Sequence, residues 1–272
     1  MQPIITIKEA KAILAGKGSI TLSLDLGLTT TNITIGKVIK LVDQNIPFSE
    51  FKKVREDFCY LAEDNTLKKV AFFSDETQLY YKLFPTKDWP TFMISATPMH
   101  RYIHLSPQED TWTKIEEIKP VVGKVLDTCC GMGYTAITAA EKAAEVHTYE
   151  WDQNVLRLAD LNPYSQKLFN SKNIILHEES IIEGIKKLKG NFFNRIIHDP
   201  PTFKRSPELY SLRFYRELFR IMIPGGILYH YVPNPGKTKG TNFYEGVVDK
   251  LLGMGFKEVV YHEKSSGVRA VK

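Results

Sequence analysis

Val125-Leu126-Asp127-Thr128-Cys129-Cys130-Gly131-Met132-Gly133-Tyr134-Thr135-Ala136 is the stretch on which the fold turns. An apolar strand ends at an acid, turns through two glycines and enters a helix. Glycine suits such a turn because the backbone must bend tightly and let a ligand approach with no Cβ in the way. Gly131–Ala136 also satisfies the dinucleotide pattern G-x-G-x-x-A, so a nicotinamide enzyme is one reading. Asp127 opposes it, since its carboxylate would repel a pyrophosphate.

Working outward, strands and helices alternate from residue 120 onward, which predicts a mainly parallel sheet with helices on both faces. Strands are expected at Lys124–Asp127, Val146–Glu150, Asn173–His177, Arg195–Asp199 and Ile227–Val232, then at Phe256–His262 and Gly267–Val271. The last two should form an antiparallel hairpin about Ser265-Ser266-Gly267. Helices are expected at Thr135–Ala144, Asn154–Leu161, Ile181–Leu188 and Tyr244–Met254. Another carries Leu209, Leu212, Tyr215, Leu218, Phe219 and Met222 on one face and is stopped by Pro224-Gly225-Gly226.

Residues 1–105 predict a smaller α+β domain. Helices are expected at Ile7–Leu14 and Phe48–Tyr60, and strands at Ser19–Leu26 and Asn32–Ile39. Hairpins are expected from Val70–Phe73 with Gln78–Phe84, and from Thr91–Ser95 with Met99–His104. The fold class is therefore α/β, a Rossmann-like domain over 106–272 with an α+β domain over 1–105 before it.

The second motif closes the fourth strand, as Ile196-Ile197-His198-Asp199-Pro200-Pro201-Thr202-Phe203. Open α/β sheets bind ligands at the carboxyl ends of their strands. The prolines fix φ and remove two backbone donors, leaving carbonyls that only accept. A carboxylate beside acceptor-only backbone suits a planar amine with two N–H donors, such as the exocyclic amine of a base. Accepting them aims the nitrogen at an electrophilic carbon, and such orientation contributes on the order of 7 kcal/mol in favourable cases.

D-x-x-x-G-x-G with Glu150 ending the next strand resembles the class I S-adenosylmethionine-dependent methyltransferases. The resemblance implies that Asp127, Gly131 and Gly133 surround the methionine moiety and that Glu150 chelates the ribose hydroxyls, with Thr128, Tyr134, Thr135 and Trp151 beside them. Glu179, followed by Ser180, is the candidate for the adenine amine, with Glu178 close behind. Asp199-Pro200-Pro201 resembles the [D/N]-P-P-[Y/F] tetrad of amino-methyltransferases, except that the aromatic comes one place late at Phe203. Residues 98–272 also resemble a group of predicted archaeal methyltransferases that looks related to an enzyme making N4,N4-dimethylcytidine in ribosomal RNA. That likeness implies an RNA methyltransferase acting on an exocyclic base amine, with Asp199, Pro200, Pro201 and Phe203 catalytic and Asp199 also near the cofactor; the alternative is an amine methyltransferase acting on another RNA base, on a small molecule or on a protein. Methylation of cytosine C5 is excluded, because it needs a cysteine near the fourth or fifth strand and none follows Cys130.

Charge has two readings, an ordinary solvated surface or a basic rim that attracts a polyanion such as ribosomal RNA. Residues 1–110 hold 13 basic and 13 acidic side chains, whereas 190–272 hold 13 and 7. Arg101, His104, Lys204, Lys237 and Lys239 are the candidate RNA contacts. Three cysteines without zinc spacing predict neither a disulfide framework nor a metal site. Met1–Gly16 lacks the apolar core of a signal peptide, and Ile221–Gly236 is too broken by Pro and Gly to span a bilayer. A cytoplasmic protein without membrane partners is expected.

Overall fold

The computed structural model describes residues 2–233 and 242–272. The chain forms two compact units, one of residues 1–108 with 157–166, the other of 109–156 with 167–272.

The second unit is built on a seven-stranded sheet. Its strands are β1 (Lys124–Asp127), β2 (Glu145–Tyr149), β3 (Ile174–His177), β4 (Phe193–His198), β5 (Met222–Tyr231), β6 (Lys257–His262) and β7 (Gly267–Val271). Their order is β3-β2-β1-β4-β5-β7-β6. The first five run parallel, and β7 lies antiparallel between β5 and β6. This is the Rossmann-like methyltransferase sheet that the alternating pattern predicts. The chain leaves β1 for β2 on one side and enters β4 on the other, so ligands belong at the carboxyl ends of β1 and β4.

Local sequence sets the helices around it. The helix Tyr134–Ala140 starts on Gly133, whose φ of 75° is left-handed, and Gly131 before it has φ 55°. A Cβ on Gly133 would stand 3.0 Å from the Leu168 side chain. The helix Leu212–Ile221 is capped by the Ser211 hydroxyl, which accepts from the Phe214 N–H at 3.2 Å. It buries Phe214, Tyr215, Leu218 and Ile221, the i, i+1, i+4, i+7 face of an amphipathic helix. These side chains join Leu126, Ile196 and Leu228 from the sheet in one core.

The first unit is a helix Ile7–Ala15 with short antiparallel strands. Thr6 and Glu9 form the capping box at its start. Ile4–Ile5, Tyr60–Glu63 and Thr66–Lys69 make one sheet; Ala71–Ser74, Leu79–Phe84, Thr91–Ile94 and Thr97–Pro98 make another. Ser19–Leu22 with Thr31–Thr34, and Val38–Leu41 with Gln44–Pro47, are two-stranded ribbons. Ile5, Ile13, Ile39, Leu41, Ile46 and Phe51 are its core.

Several elements differ from the sequence reading: the strand expected over Ser19–Leu26 ends at Leu22, and the helix expected over Thr135–Ala144 ends at Ala140. The helix expected over Phe48–Tyr60 stops at Phe51, because Tyr60 and Leu61 pair with Ile5 and Ile4. The strand expected over Asn32–Ile39 splits at Gly36 into two strands with different partners. Met99–His104 is not a strand: the return strand is Thr97–Pro98, and the Thr91 hydroxyl meets His100 Nδ1 at 2.9 Å beyond it. Pro224-Gly225-Gly226 does not stop the helix, which ends at Ile221. Those residues lie inside β5, where the register with β4 jumps from Phe193↔Met222 to Arg195↔Ile227. They form the slack of a bulge.

Gly267 begins β7 opposite Tyr231. A Cβ there would lie 2.2 Å from the Tyr229 ring and 2.8 Å from the His230 carbonyl oxygen. Gly267→Ala is therefore expected to cost about 1–3 kcal/mol, the usual cost of overpacking a filled core. A chemical denaturation curve for each protein measures it, and an unchanged midpoint would mean that the ring yields freely.

Candidate active site

Asp127 ends β1 fully buried. Its Oδ2 accepts from the Thr148 hydroxyl at 3.0 Å and from the Thr135 hydroxyl at 3.2 Å. Its Oδ1 is buried without a hydrogen-bond partner among the described residues. A carboxylate oxygen in that state is costly unless something donates to it. Burial pushes the Asp127 carboxyl up to about 7, against the two hydroxyls that favour its charged form.

Glu150 follows β2 and reaches back over the glycine turn. Its Oε2 accepts from the Gly131 N–H at 3.0 Å and its Oε1 from the Asp152 N–H at 3.0 Å. Each oxygen keeps a second lone pair, so the side chain is oriented without being saturated. Burial raises Glu150 to about 7 as well. Orphaned Asp127 Oδ1, the left-handed turn at Gly131 and Gly133, and an oriented Glu150 together fit an adenosyl sulfonium: ammonium on the first, ribose hydroxyls on the last.

Asp199 lies just past β4. Asp127 pairs with Ile197 across the parallel ladder, so the two acids end neighbouring strands. Asp199 Oδ2 is 2.6 Å from the ammonium of Lys114, which is also 2.8 Å from Asp110 Oδ2. Lys114 and Asp110 are almost fully buried on the helix Pro107–Glu117, and the ammonium stands 5.0 Å from the centre of the Tyr231 ring.

The segment after Asp199 is held from below. His198 Nε2 lies 3.0 Å from the Leu209 carbonyl oxygen, which can only accept, so this nitrogen carries the hydrogen. Nδ1 then accepts from the Thr128 hydroxyl at 2.7 Å. The Tyr210 hydroxyl donates to the Pro201 carbonyl at 3.0 Å, so this carbonyl is already engaged. His230, opposite His198 on β5, meets the Tyr215 hydroxyl at 2.9 Å. Burial keeps both rings neutral, with His198 depressed to about 4.

The other expected residues divide. Tyr134 and Thr135 are buried in the first turn after the glycines, and Trp151 is exposed beside Glu150. Ser180 caps the helix Ile181–Lys187, and Glu179 pairs with Lys187 at 2.5 Å. Glu178 accepts from Gln153 at 3.0 Å. Phe203 is half exposed, its ring 5.5 Å from Phe243 and 5.7 Å from Tyr210. Lys204 is exposed. Arg101 and His104 belong to the other unit, and Lys237 and Lys239 lie outside the described residues. Cys129 and Cys130 are free thiols, raised by burial.

Lys114, Asp110, His198 and Tyr210 escaped the sequence reading. Ser106-Pro107 followed by Glu109 and Asp110 is a helix-start signal that could have revealed the helix bearing Lys114. Among the described residues no group of three or more His, Cys, Asp or Glu could hold a metal ion. No helix there is long and apolar enough to cross a membrane.

No family model matches the chain. The uncharacterized protein MJ1233 of Methanocaldococcus jannaschii is 42% identical over 278 residues, covering 98% of this chain and 95% of that protein. The polyamine aminopropyltransferase of Prochlorococcus marinus strain AS9601 is 30% identical over 92 residues, 32% of each chain. The spermidine synthase of Thermotoga maritima superposes with a TM-score of 0.54 at 15% identity, over 74% of this chain and 70% of that one. The chain thus has a methyltransferase-like fold of the kind spermidine synthases share. The expectation of an RNA methyltransferase making N4-methylcytidine is corrected by the last two of these proteins, which are named for polyamines, and the alternative of a small-molecule acceptor fits them better.

The raised acids give a pH test. For Asp127 the folded-state value near 7 lies above the ordinary carboxyl range. The native state therefore holds a proton that the unfolded chain has lost, and this residue's contribution falls as pH rises from about 4 to about 7. Asp127→Asn removes that dependence. The stability of the variant relative to wild type should improve across this window and level off above it, as thermal melts at stepped pH would measure. A pH-independent difference would mean that Asp127 is ionised throughout.

Proposed function

We propose that this chain, which belongs to one family with protein MJ1233 of Methanocaldococcus jannaschii, is a transferase that moves an alkyl group from an S-adenosyl sulfonium to the amine of a small molecule. The observation that carries this reading is the placement of two acids, Asp127 and Asp199, at the carboxyl ends of the adjacent parallel strands β1 and β4. One faces the donor side and the other the acceptor side. Asp110, Asp127, Glu150 and Asp199 gather there with Lys114, and an acid-rich edge favours cationic or N–H-bearing ligands over polyanions.

S-adenosylmethionine, when bound, supplies a carbon activated by its sulfonium together with a neutral thioether leaving group. The residues position it. Asp127 Oδ1 accepts from the ammonium of the donor, which replaces the missing partner of a buried carboxylate. Glu150 accepts from the ribose hydroxyls on lone pairs left over from Gly131 and Asp152. Asp199 accepts an N–H of the incoming amine and holds the nitrogen lone pair in line with the activated carbon. Held so, the nitrogen would take the carbon as the carbon–sulfur bond broke, the electron pair would stay on sulfur, and the surplus proton of the nitrogen would leave to solvent.

The likeness to a polyamine aminopropyltransferase supports aliphatic di- and polyamines as acceptors. The purified chain, incubated with S-adenosylmethionine or its decarboxylated form and a panel of such amines, should alkylate at least one of them. Product mass distinguishes methyl from aminopropyl transfer, and absence of any alkylated amine would overturn the reading. Within that assay Asp199→Asn, which keeps an acceptor oxygen, should retain measurable turnover. Asp199→Ala should lose about 10²–10³ in rate, the usual consequence of deleting one preorganised polar contact. Equal and complete loss in both would instead make Asp199 a general base.

A further inference from the structure

A buried lysine is costly to keep charged, and Lys114 is kept charged by two carboxylates at once. Its side chain is 5% exposed, that of Asp110 1% and that of Asp199 20%. The spacing along the helix places Asp110 one turn before Lys114, an i, i+4 pair. Asp110 thus anchors the ammonium within its own helix, and the ammonium reaches across to the end of β4. Tyr231, from β5, presents its ring to the same ammonium. With Asp110 alone, the pair would be a closed buried ion pair of no catalytic interest. The contact to Asp199 at 2.6 Å makes it part of the site.

From this geometry we infer that Lys114 is a positioning residue, which fixes the Asp199 carboxylate in place and holds it ionised as a hydrogen-bond acceptor. The inference rests on the reading that Asp199 receives the acceptor amine. Lys114 pairs with Asp199 directly, the charge of Asp199 acts on Asp127 and Cys129 at the end of β1 and on Tyr210 in the following segment, and Asp110 and Tyr231 touch the same ammonium. Asp127 would disfavour the charged form of Asp199, as Asp110 would on its own. The Lys114 ammonium touches the Asp199 carboxylate directly and favours its ionised state. A carboxylate pinned to an ammonium takes up a proton poorly, so the amine must reach the site with its lone pair already free. The rate should then follow the neutral fraction of the amine as pH rises.

The test uses the full chain carrying carboxyl-labelled aspartate, with the Asp199 resonance identified by its loss in Asp199→Asn. Lys114→Met removes the ammonium from buried Asp110 as well, so the double variant Lys114→Met with Asp110→Asn is titrated beside it. The pH at which the Asp199 carboxyl carbon titrates should rise by about one to three units in the double variant, the effect of removing a cation in contact with a carboxylate. In Lys114→Arg, which keeps the charge, it should stay near wild type. An unmoved titration in the double variant, or a shift in Lys114→Arg as large as in Lys114→Met, overturns the inference. Turnover separates it from the proposed function. A shifted titration in a protein that alkylates no amine leaves Lys114 in its role and removes the amine transfer.

Discussion

Burial of carboxylates at the carboxyl edge of a parallel sheet is the constraint on which this molecule depends. Asp127 has no exposed surface and one oxygen without a partner among the described residues, yet its Oδ2 is aimed by hydroxyls from β2 and from the first turn after the glycines. An apolar residue there would pack more cheaply. The neighbouring strand ends in a second acid whose charge is balanced by a buried lysine. Stability and function pull in opposite directions at these positions, which is the pattern expected where a site is held ready for a ligand that brings its own charge.

The scaffold limits that cost by tying the segment after β4 to the sheet from beneath. His198 spans from Thr128, after β1, to the Leu209 carbonyl, and Tyr210 closes onto the Pro201 carbonyl. The Tyr210 bond satisfies a carbonyl of the Pro-Pro sequence, and the two His198 bonds fix the residue that precedes Asp199. The neutral histidines are thus supports, and with His198 depressed to about 4 they contribute no charge near neutral pH. Phe203 leans on Tyr210 and Phe243, which makes it a wall of this segment as much as a surface for a substrate.

Much of this was legible in the sequence because the second unit obeys local rules. β1 and β7 coincide with their expected bounds, and the helices around 153–161 and 181–187 fall within a residue of theirs, since each is bounded by a turn or cap residue, Gly123, Gly267, Asp152 and Ser180 respectively. The first unit was harder. Its strands are four to six residues long or shorter, and pairing across the chain decides them, as Tyr60–Leu61 against Ile4–Ile5 shows. In the site, Asp127, Glu150 and Asp199 announced themselves by motif, whereas Lys114 carries no motif. It matters because a helix brings it to a strand end 85 residues later, and no local period encodes that meeting. The substrate class misled the reading for a related reason. An Asp-Pro-Pro edge presents acceptors to any amine, and the basic excess in residues 190–272 says nothing about what reaches that edge.

The central claim is that the ends of β1, β2 and β4 form one site for an adenosyl sulfonium and an amine. A crystal structure of the full chain with S-adenosylmethionine, or with a sulfonium analogue joined to an amine, tests it most directly. The account predicts the ammonium of the donor within hydrogen-bond distance of Asp127 Oδ1, the ribose hydroxyls on Glu150 and the acceptor nitrogen against Asp199. A donor bound away from the Gly131–Gly133 turn, or one whose activated carbon points away from Asp199, would contradict it.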